Sequence, residues 1–325
     1  MMNNIKVIGL GALNIDHIYK VGRILDDGEA VVEEAGYFPG GSAANTIYGL
    51  ARLGIGTGFT GAVGDNDEGR LIIDNFKKVG VNISQISVKQ GVKTGSTLCL
   101  SDRSGKRSIY VIPGANSLLS DDDLDPAHIN RVSLLHLSSF VDDSQFRLSL
   151  ELVNRLTPSV RLSFSPGELY VARGLKALAP ILARTDILFI NRNEVQKLTG
   201  EDFNKGAEAC RQQGCRVVVV TLSKGKGLTG DKASSAVCYI RDAGIEYLVK
   251  PANRAETIAV DTTGAGDAFA AGFLYGLLND RGLEECGRLG DIIAQFKISK
   301  IGARQGLPTP TRLAQKYADL YKEHL

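Results

Sequence analysis

Short, predominantly apolar runs, each too brief to be anything but a strand, recur along this chain between stretches of helical periodicity. Ile5 to Leu10, Leu134 to Leu137, Ile187 to Ile190 and Val217 to Val220 are such runs. They do not alternate apolar with polar residues, so each predicts a strand buried on both faces, as in a parallel sheet covered by helices on either side. Thr57 to Val63, Val160 to Phe164 and Thr257 to Val260 read as further strands. Helical spacing appears over Ala43 to Leu53, Gly69 to Val79, Ser144 to Leu156, Gly174 to Ala183 and Lys205 to Gln213. Beyond Gly264 the chain reads as helices, over Ala268 to Leu278, Glu284 to Lys297 and Arg312 to Tyr321. The expectation is a three-layer α/β/α domain with a mostly parallel central sheet.

Two regions break this alternation. Thr94 to Ile112 holds two β-prone runs around Ser104-Gly105, a hairpin pattern, and Glu29 to Tyr37 is β-prone and partly charged. Together they predict a small sheet standing off the main body, inserted at approximately 12–40 and 93–113 of a single domain spanning 1–325. With 38 Lys+Arg against 36 Asp+Glu, the chain shows no excess charge of the kind that binds nucleic acid or an anionic membrane. No apolar run approaches the ~20 residues needed to span a bilayer. The five cysteines form no CxxC pair and an odd number is a poor disulfide framework, so a reducing, cytoplasmic setting is expected.

Glycine is plentiful, 37 of 325 residues, and two clusters stand out. Pro39-Gly40-Gly41-Ser42-Ala43-Ala44-Asn45 opens a helix with small residues. It is either a turn with a cap or a place where the backbone approaches a ligand, with Asn45 one turn inside. Asp261-Thr262-Thr263-Gly264-Ala265-Gly266-Asp267 precedes a second apolar helix. Its Gly-Ala-Gly can expose helix N-terminal amides to an anion. Asp267 then reads either as a favourable partner of the helix dipole or as a general base facing the same cavity. The segment is not a Walker A loop, because no lysine follows Gly266. Gly9-Leu10-Gly11 fails as a dinucleotide fingerprint, since Asn14 stands at the third glycine position. The four histidines show no compact metal spacing.

In this order, the two glycine segments resemble the paired signatures of the ribokinase-like (PfkB) carbohydrate and nucleoside kinases, from Gly9 to about Pro308. Asn191-Arg192-Asn193-Glu194, Leu198-Thr199-Gly200, Gly114-Ala115-Asn116 and Gly302-Ala303 resemble intermediate family elements. The resemblance implies transfer of the γ-phosphoryl group of ATP, with Mg²⁺, to a hydroxymethyl group of a sugar. A nucleoside kinase is the alternative; a sugar-phosphate kinase or a non-catalytic sensor are more distant ones. It implies Asp267 as general base and Gly264, Ala265 and Gly266 as the anion hole. It implies Asn14, Asp16, Gly41 and Asn45 as substrate ligands. Asn191 and Glu194 would organise Mg²⁺ through water, and Thr221, Gly225 and Gly227 would meet the nucleotide. Asp261 and Thr263 would form part of a K⁺ site. The small sheet would close as a lid and pair two copies as a homodimer.

Two departures bear on the substrate. Ser42 stands where ribokinases carry a lysine, and Ser138-Ser139 where they carry an acidic sugar ligand. Of the basic residues that could meet a sugar phosphate, Arg103, Lys106, Arg107 and Arg173 are the candidates. Asn191 and Glu194 also fit a plain helix cap with a first-turn carboxylate.

Overall fold

The computed structural model describes residues 5–102, 107–222, 236–251 and 259–325. A nine-stranded sheet forms its centre, in the order β13-β12-β11-β10-β9-β8-β1-β4-β5. The strands are β1 (Val7–Leu10), β4 (Thr57–Gly64), β5 (Asn82–Lys89), β8 (Leu134–Ser138), β9 (Arg161–Ser165), β10 (Ile187–Asn191), β11 (Val217–Thr221), β12 (Cys238–Arg241) and β13 (Glu246–Val249). Neighbours from β5 through β11 run parallel, whereas β12 and β13 add an antiparallel edge. Burial follows composition. Val217 to Val220 are buried on both faces, as are all residues of β1, β4 and β8. Two apolar clusters cover the sheet's faces, one centred on Leu135, Leu162 and Val218 and the other on Ile47, Phe59 and Phe273.

A separate four-stranded sheet has the order β3-β2-β6-β7, built from β2 (Asn14–Val21), β3 (Glu33–Gly40), β6 (Gly95–Asp102) and β7 (Arg107–Ile112). The hairpin pattern is present as the antiparallel pair β6–β7. The strand over Asn14–Val21 falls inside the lid insertion expected at approximately 12–40, although no separate run was read there; β5, β12 and β13 had no counterpart among the sequence expectations. Of the strand expected over Thr257 to Val260, the first two residues lie outside the described residues, and the rest are not in a strand.

Six helices matter for the site and its surroundings. α1 (Ser42–Arg52) follows β3, and α2 (Asp67–Lys77) follows β4. α7 (Arg192–Thr199) follows β10 directly, and α8 (Phe203–Gln212) leads to β11. α9 (Ala265–Leu278) starts three residues earlier than its apolar period suggests and is buried along most of its length, against α1 and α10 (Leu283–Ile298). The remaining α-helices among the described residues are α3 (Pro126–Ile129), α4 (Asp143–Asn154), α5 (Gly167–Val171), α6 (Leu175–Leu182) and α11 (Pro310–Tyr321). No helix among the described residues is long and apolar enough to cross a membrane. All five cysteines are free and buried.

Candidate active site

In an open α/β sheet, ligands gather outside the carboxyl ends of the strands. Here the starts of α1 and α9 meet in that region. α1 begins at Gly41, whose φ of +93° suits glycine, and a Cβ there would fall 2.1 Å from the Ala12 carbonyl oxygen. Ser138, at the end of β8, accepts a hydrogen bond from the Ala43 amide at 3.0 Å. The serine standing in place of an acidic residue thus serves the start of α1. α9 begins at Gly264, with φ +74° and Ala303 packed where its Cβ would be. No side chain caps this helix. A Cβ on Gly266 would meet nothing within 4 Å, so the first turn of α9 borders open space.

Asp267 sits between the two helix starts. Its Oδ1 accepts from Ser42 Oγ at 2.7 Å and its Oδ2 from Asn45 Nδ2 at 2.8 Å. Burial pushes its carboxyl up to about 6; the Asn45 and Ser42 hydrogen bonds oppose that rise, the nearby Asp16 adds to it, and Arg304 opposes it. A carboxyl raised in this way holds a proton more tightly than an ordinary one.

Arg304, absent from the sequence expectations, organises this cluster. It is buried, and its Nε donates to Asn45 Oδ1 at 2.9 Å. With its oxygen so engaged, the Asn45 amide turns its NH₂ toward Asp267. Arg304 also donates to Asn75 Oδ1 at 2.7 Å and to the Gly40 carbonyl at 2.8 Å, and its guanidinium lies 5.0 Å from the Phe76 ring centroid. Burial lowers its pKa to about 10, which still leaves it charged.

The other expected substrate ligands lie at the start of β2. Asn14 and Asp16 are buried, and Asn14 Oδ1 accepts from Asn116 Nδ2 at 2.9 Å. Asn116 also clamps Leu13, donating to its carbonyl and accepting from its amide, which fixes where β2 departs. Asp16 Oδ1 accepts from Thr97 Oγ1 at 2.6 Å, and burial raises its pKa. The row Phe38, Asp16, Thr97, Val111 runs in register across the small sheet, so these side chains share one face. Thr97, Asn116, Ser42 and Ser138 were likewise not among the expected site residues.

Asn191 and Thr221 end adjacent parallel strands in register. Asn191 caps α7. Its side chain accepts from the Glu194 amide at 2.9 Å, while Glu194 Oε2 accepts from the Asn191 amide at 3.0 Å. The cap that the spacing allowed is therefore formed. Glu194 remains distinctive: burial raises its pKa, and the nearby carboxylates of Glu168 and Asp267 raise it further. A region of mutually repelling carboxylates suits a divalent cation, although no group of three or more His, Cys, Asp or Glu able to hold a metal occurs among the described residues. The residues present fit Mg²⁺ carried on a nucleotide and reached through water. A cleft of about 560 Å³ opens beside Asn191, also lined by Glu168, Asn193, Gln196 and Lys197. Gly225 and Gly227 lie outside the described residues, as do Arg103 and Lys106. Arg107 reaches Thr263 Oγ1 at 3.4 Å, whereas Arg173 pairs with Asp143 and lies 4.4 Å over the Phe146 ring.

Asp261 is tied into the turns around it by backbone amides. Its Oδ1 accepts from the Thr263 amide and its Oδ2 from the Gly302 amide, both at 2.8 Å. The ammonium of Lys297 donates to its main-chain carbonyl at 2.7 Å.

A family model described as pfkB family carbohydrate kinase matches residues 4–310. A protein of Archaeoglobus fulgidus, named an uncharacterised sugar kinase, is 39% identical over 261 residues, 80% of this chain and 98% of its own. An ATP-dependent ribose-1-phosphate kinase of Halopiger xanaduensis is 27% identical over 311 residues, 95% of this chain and 97% of its own. Among solved structures, a nucleoside kinase of Burkholderia thailandensis in complex with inosine shares the fold. Its TM-score is 0.81 at 18% identity, and the match covers 98% of this chain and 100% of that one.

Proposed function

Because the chain belongs to the pfkB family of carbohydrate kinases, we propose that it transfers the γ-phosphoryl group of ATP to a hydroxymethyl group of a sugar, with Asp267 as general base. The observation that carries this reading is the Asp267 carboxylate, held by Ser42 and Asn45 at the uncapped start of α9. In the proposed step the substrate hydroxyl gives its proton to Asp267 as its oxygen attacks the γ-phosphorus. The bond from that phosphorus to the β,γ-bridging oxygen breaks, and ADP leaves with the electron pair. Phosphoryl transfer asks mainly for position and charge stabilisation. The amides of Gly264 and Gly266 at the start of α9 would supply fixed donors where negative charge gathers, whereas the Ala265 amide already donates to the Thr262 carbonyl at 3.1 Å. Asn14, Asp16, Gly41 and Asn45 would orient the acceptor, Asp16 and Asn14 through hydroxyl hydrogen bonds. Bound Mg²⁺ would neutralise phosphate charge, with Glu194 and Asn191 holding its waters. Thr221 would border the nucleotide. The small sheet would act as a lid that excludes water and protects ATP from hydrolysis.

A nucleoside acceptor is the second reading. The face that carries Asp16 also carries Phe38 and Val111, with Ile109 two residues along from Val111 and exposed, an apolar surface that would cover a base. On the opposite face, Tyr37, Leu98 and Tyr110 align in register and are exposed, which supports pairing of two copies through this sheet.

The deciding assay couples ADP release from Mg-ATP to detection of the phosphorylated product, across free sugars, nucleosides and sugar phosphates. One strongly preferred class of free sugar bears out the first reading. Preference for nucleosides replaces it with the second, and no product from any acceptor, with ATP still bound, removes the kinase assignment of Asp267.

A further inference from the structure

Lys297, on α10, is fully buried, a setting that normally drives an ammonium to lose its charge. Here each of its three protons has an oxygen within reach. These are the Asp261 carbonyl at 2.7 Å, the Lys300 carbonyl at 3.3 Å and Asp261 Oδ2 at 3.5 Å. On balance burial lowers its pKa, with Arg107 adding to the fall and Asp261 and Asp267 opposing it.

This ammonium binds Asp261, three residues before the first glycine of the candidate anion hole. Asp261 ties the Thr263 amide to the Gly302 amide through one carboxylate, and Gly264, the first residue of the hole, packs on Ala303. The turn before α9 and the turn after α10 are thus gathered around one positive charge. Two main-chain carbonyls and a carboxylate oxygen around a desolvated charge are the donor set a monovalent metal ion would want. With an ammonium already among them, a second cation would meet repulsion at close range in a medium that screens it poorly. The residues expected to hold K⁺ therefore do not fit one.

We propose that Lys297 is a built-in cation that shapes the anion hole, so that the enzyme works without K⁺ or any other monovalent metal ion. Lys297 is then a positioning residue, acting on the phosphoryl group through the turn from Asp261 to Gly264. The effect on turnover rests on the kinase reading above; the effect on cation binding does not.

The test compares wild type with Lys297→Ala in choline, sodium, potassium and ammonium chlorides at equal ionic strength, by turnover and by thermal melting. Wild type is expected to turn over within about 2-fold in all four salts and to melt alike in them. The Ala variant is expected to melt lower in choline and to recover saturably in potassium or ammonium, because a ligand held only by the folded state stabilises it. Its turnover should fall by about 10²-fold in choline, the usual worth of an oxyanion-stabilising contact, and return with the same cations. Activation of wild type by K⁺ of about tenfold or more overturns the proposal, as does an Ala variant indifferent to its salt. If the Ala variant does not fold in choline, Lys297→Met keeps the volume and leaves no room for an ion. It should lose turnover in every salt while still binding nucleotide, and wild-type turnover from it overturns the proposal. Failure of the kinase reading would look different, with no acceptor phosphorylated in any salt while the melting comparison still gives its answer.

Discussion

Helices α7 and α9 both begin at the end of the molecule that holds the site, and they treat their first amides in opposite ways. α7 satisfies its own start: Asn191 and Glu194 exchange hydrogen bonds in a closed capping box. α9 starts at a left-handed glycine, with no side-chain cap, and its first-turn carboxylate turns away to Ser42 and Asn45 on another helix. An acidic residue in the first turn is common to both and stabilises a helix through its dipole. What separates them is where that carboxylate is anchored. One that closes on its own cap ties up the first amides of its helix, whereas one held from outside leaves the Gly264 and Gly266 amides without a side-chain cap, only the Ala265 amide turning back to the Thr262 carbonyl.

The largest expected effect comes from removing the carboxylate that α9 exports. Asp267→Asn should retain nucleotide binding and lower turnover by about 10² to 10⁴-fold, the usual contribution of acid–base catalysis. Near-wild-type turnover would reduce Asp267 to the dipole partner that Glu194 resembles. The same variant carries a stability signature. A carboxyl raised from 3.8 to about 6 binds its proton more tightly in the folded state than in the unfolded one. Its contribution to stability is therefore present at low pH and is lost as pH rises through about 6. At pH 8 the charged wild-type side chain is a cost, so the melting temperature of Asp267→Asn relative to wild type should be higher at pH 8 than at pH 5. A gap that does not change with pH would mean that Asp267 is not held in a desolvated setting.

A pH profile sharpens the same contrast without any substitution. The base must be ionised to accept a proton, so kcat/KM should fall on the acid side with an apparent pKa near 6, where burial places Asp267. Asn45→Ala removes a donor that favours the ionised form and should move this acid limb to higher pH, with turnover down about tenfold. It should also lower stability by about 1–3 kcal/mol, since Arg304 Nε loses its buried acceptor. An unshifted limb would show that Asn45 serves packing alone.

How far the sequence revealed these features depends on how local each one is. The Val217 to Val220 run and the apolar period of α9 are continuous in the chain, and both are legible in it. The Asn191–Glu194 cap spans three positions and was open to reading as either cap or ligand. The contact from Arg304 to Asn45 joins residues 259 positions apart, and no local spacing announces it. Its one available signal was the neighbouring Gly302-Ala303, which drew attention to the loop and not to the arginine beside it. The antiparallel edge of β12 and β13 was missed for another reason. These are four-residue strands holding Arg241 and Glu246, too short and too polar to stand out beside the valine run. Lys297 sits in the last turn of α10, where a lysine ordinarily reads as a dipole partner in water, and only its burial shows otherwise.

The smallest effects test whether α7 is as closed as its cap suggests. Asn191→Ala removes the side chain that accepts from Glu194 and should cost about 1 kcal/mol, the ordinary worth of a helix cap, measured by denaturant unfolding. Glu194→Gln is the more informative change. The amide oxygen of glutamine still accepts from the Asn191 amide, so stability should move by no more than about 0.5 kcal/mol. The negative charge is gone, however, and with it any hold on the waters of a nucleotide-bound Mg²⁺. If Glu194 has that second duty, KM for Mg-ATP should rise by about tenfold in the Gln variant, while binding of metal-free ATP is unchanged or slightly tighter as a nearby negative charge is lost. An unchanged KM would confine Glu194 to the cap, and the exported carboxylate of α9 would then stand alone as the acidic group that serves the reaction.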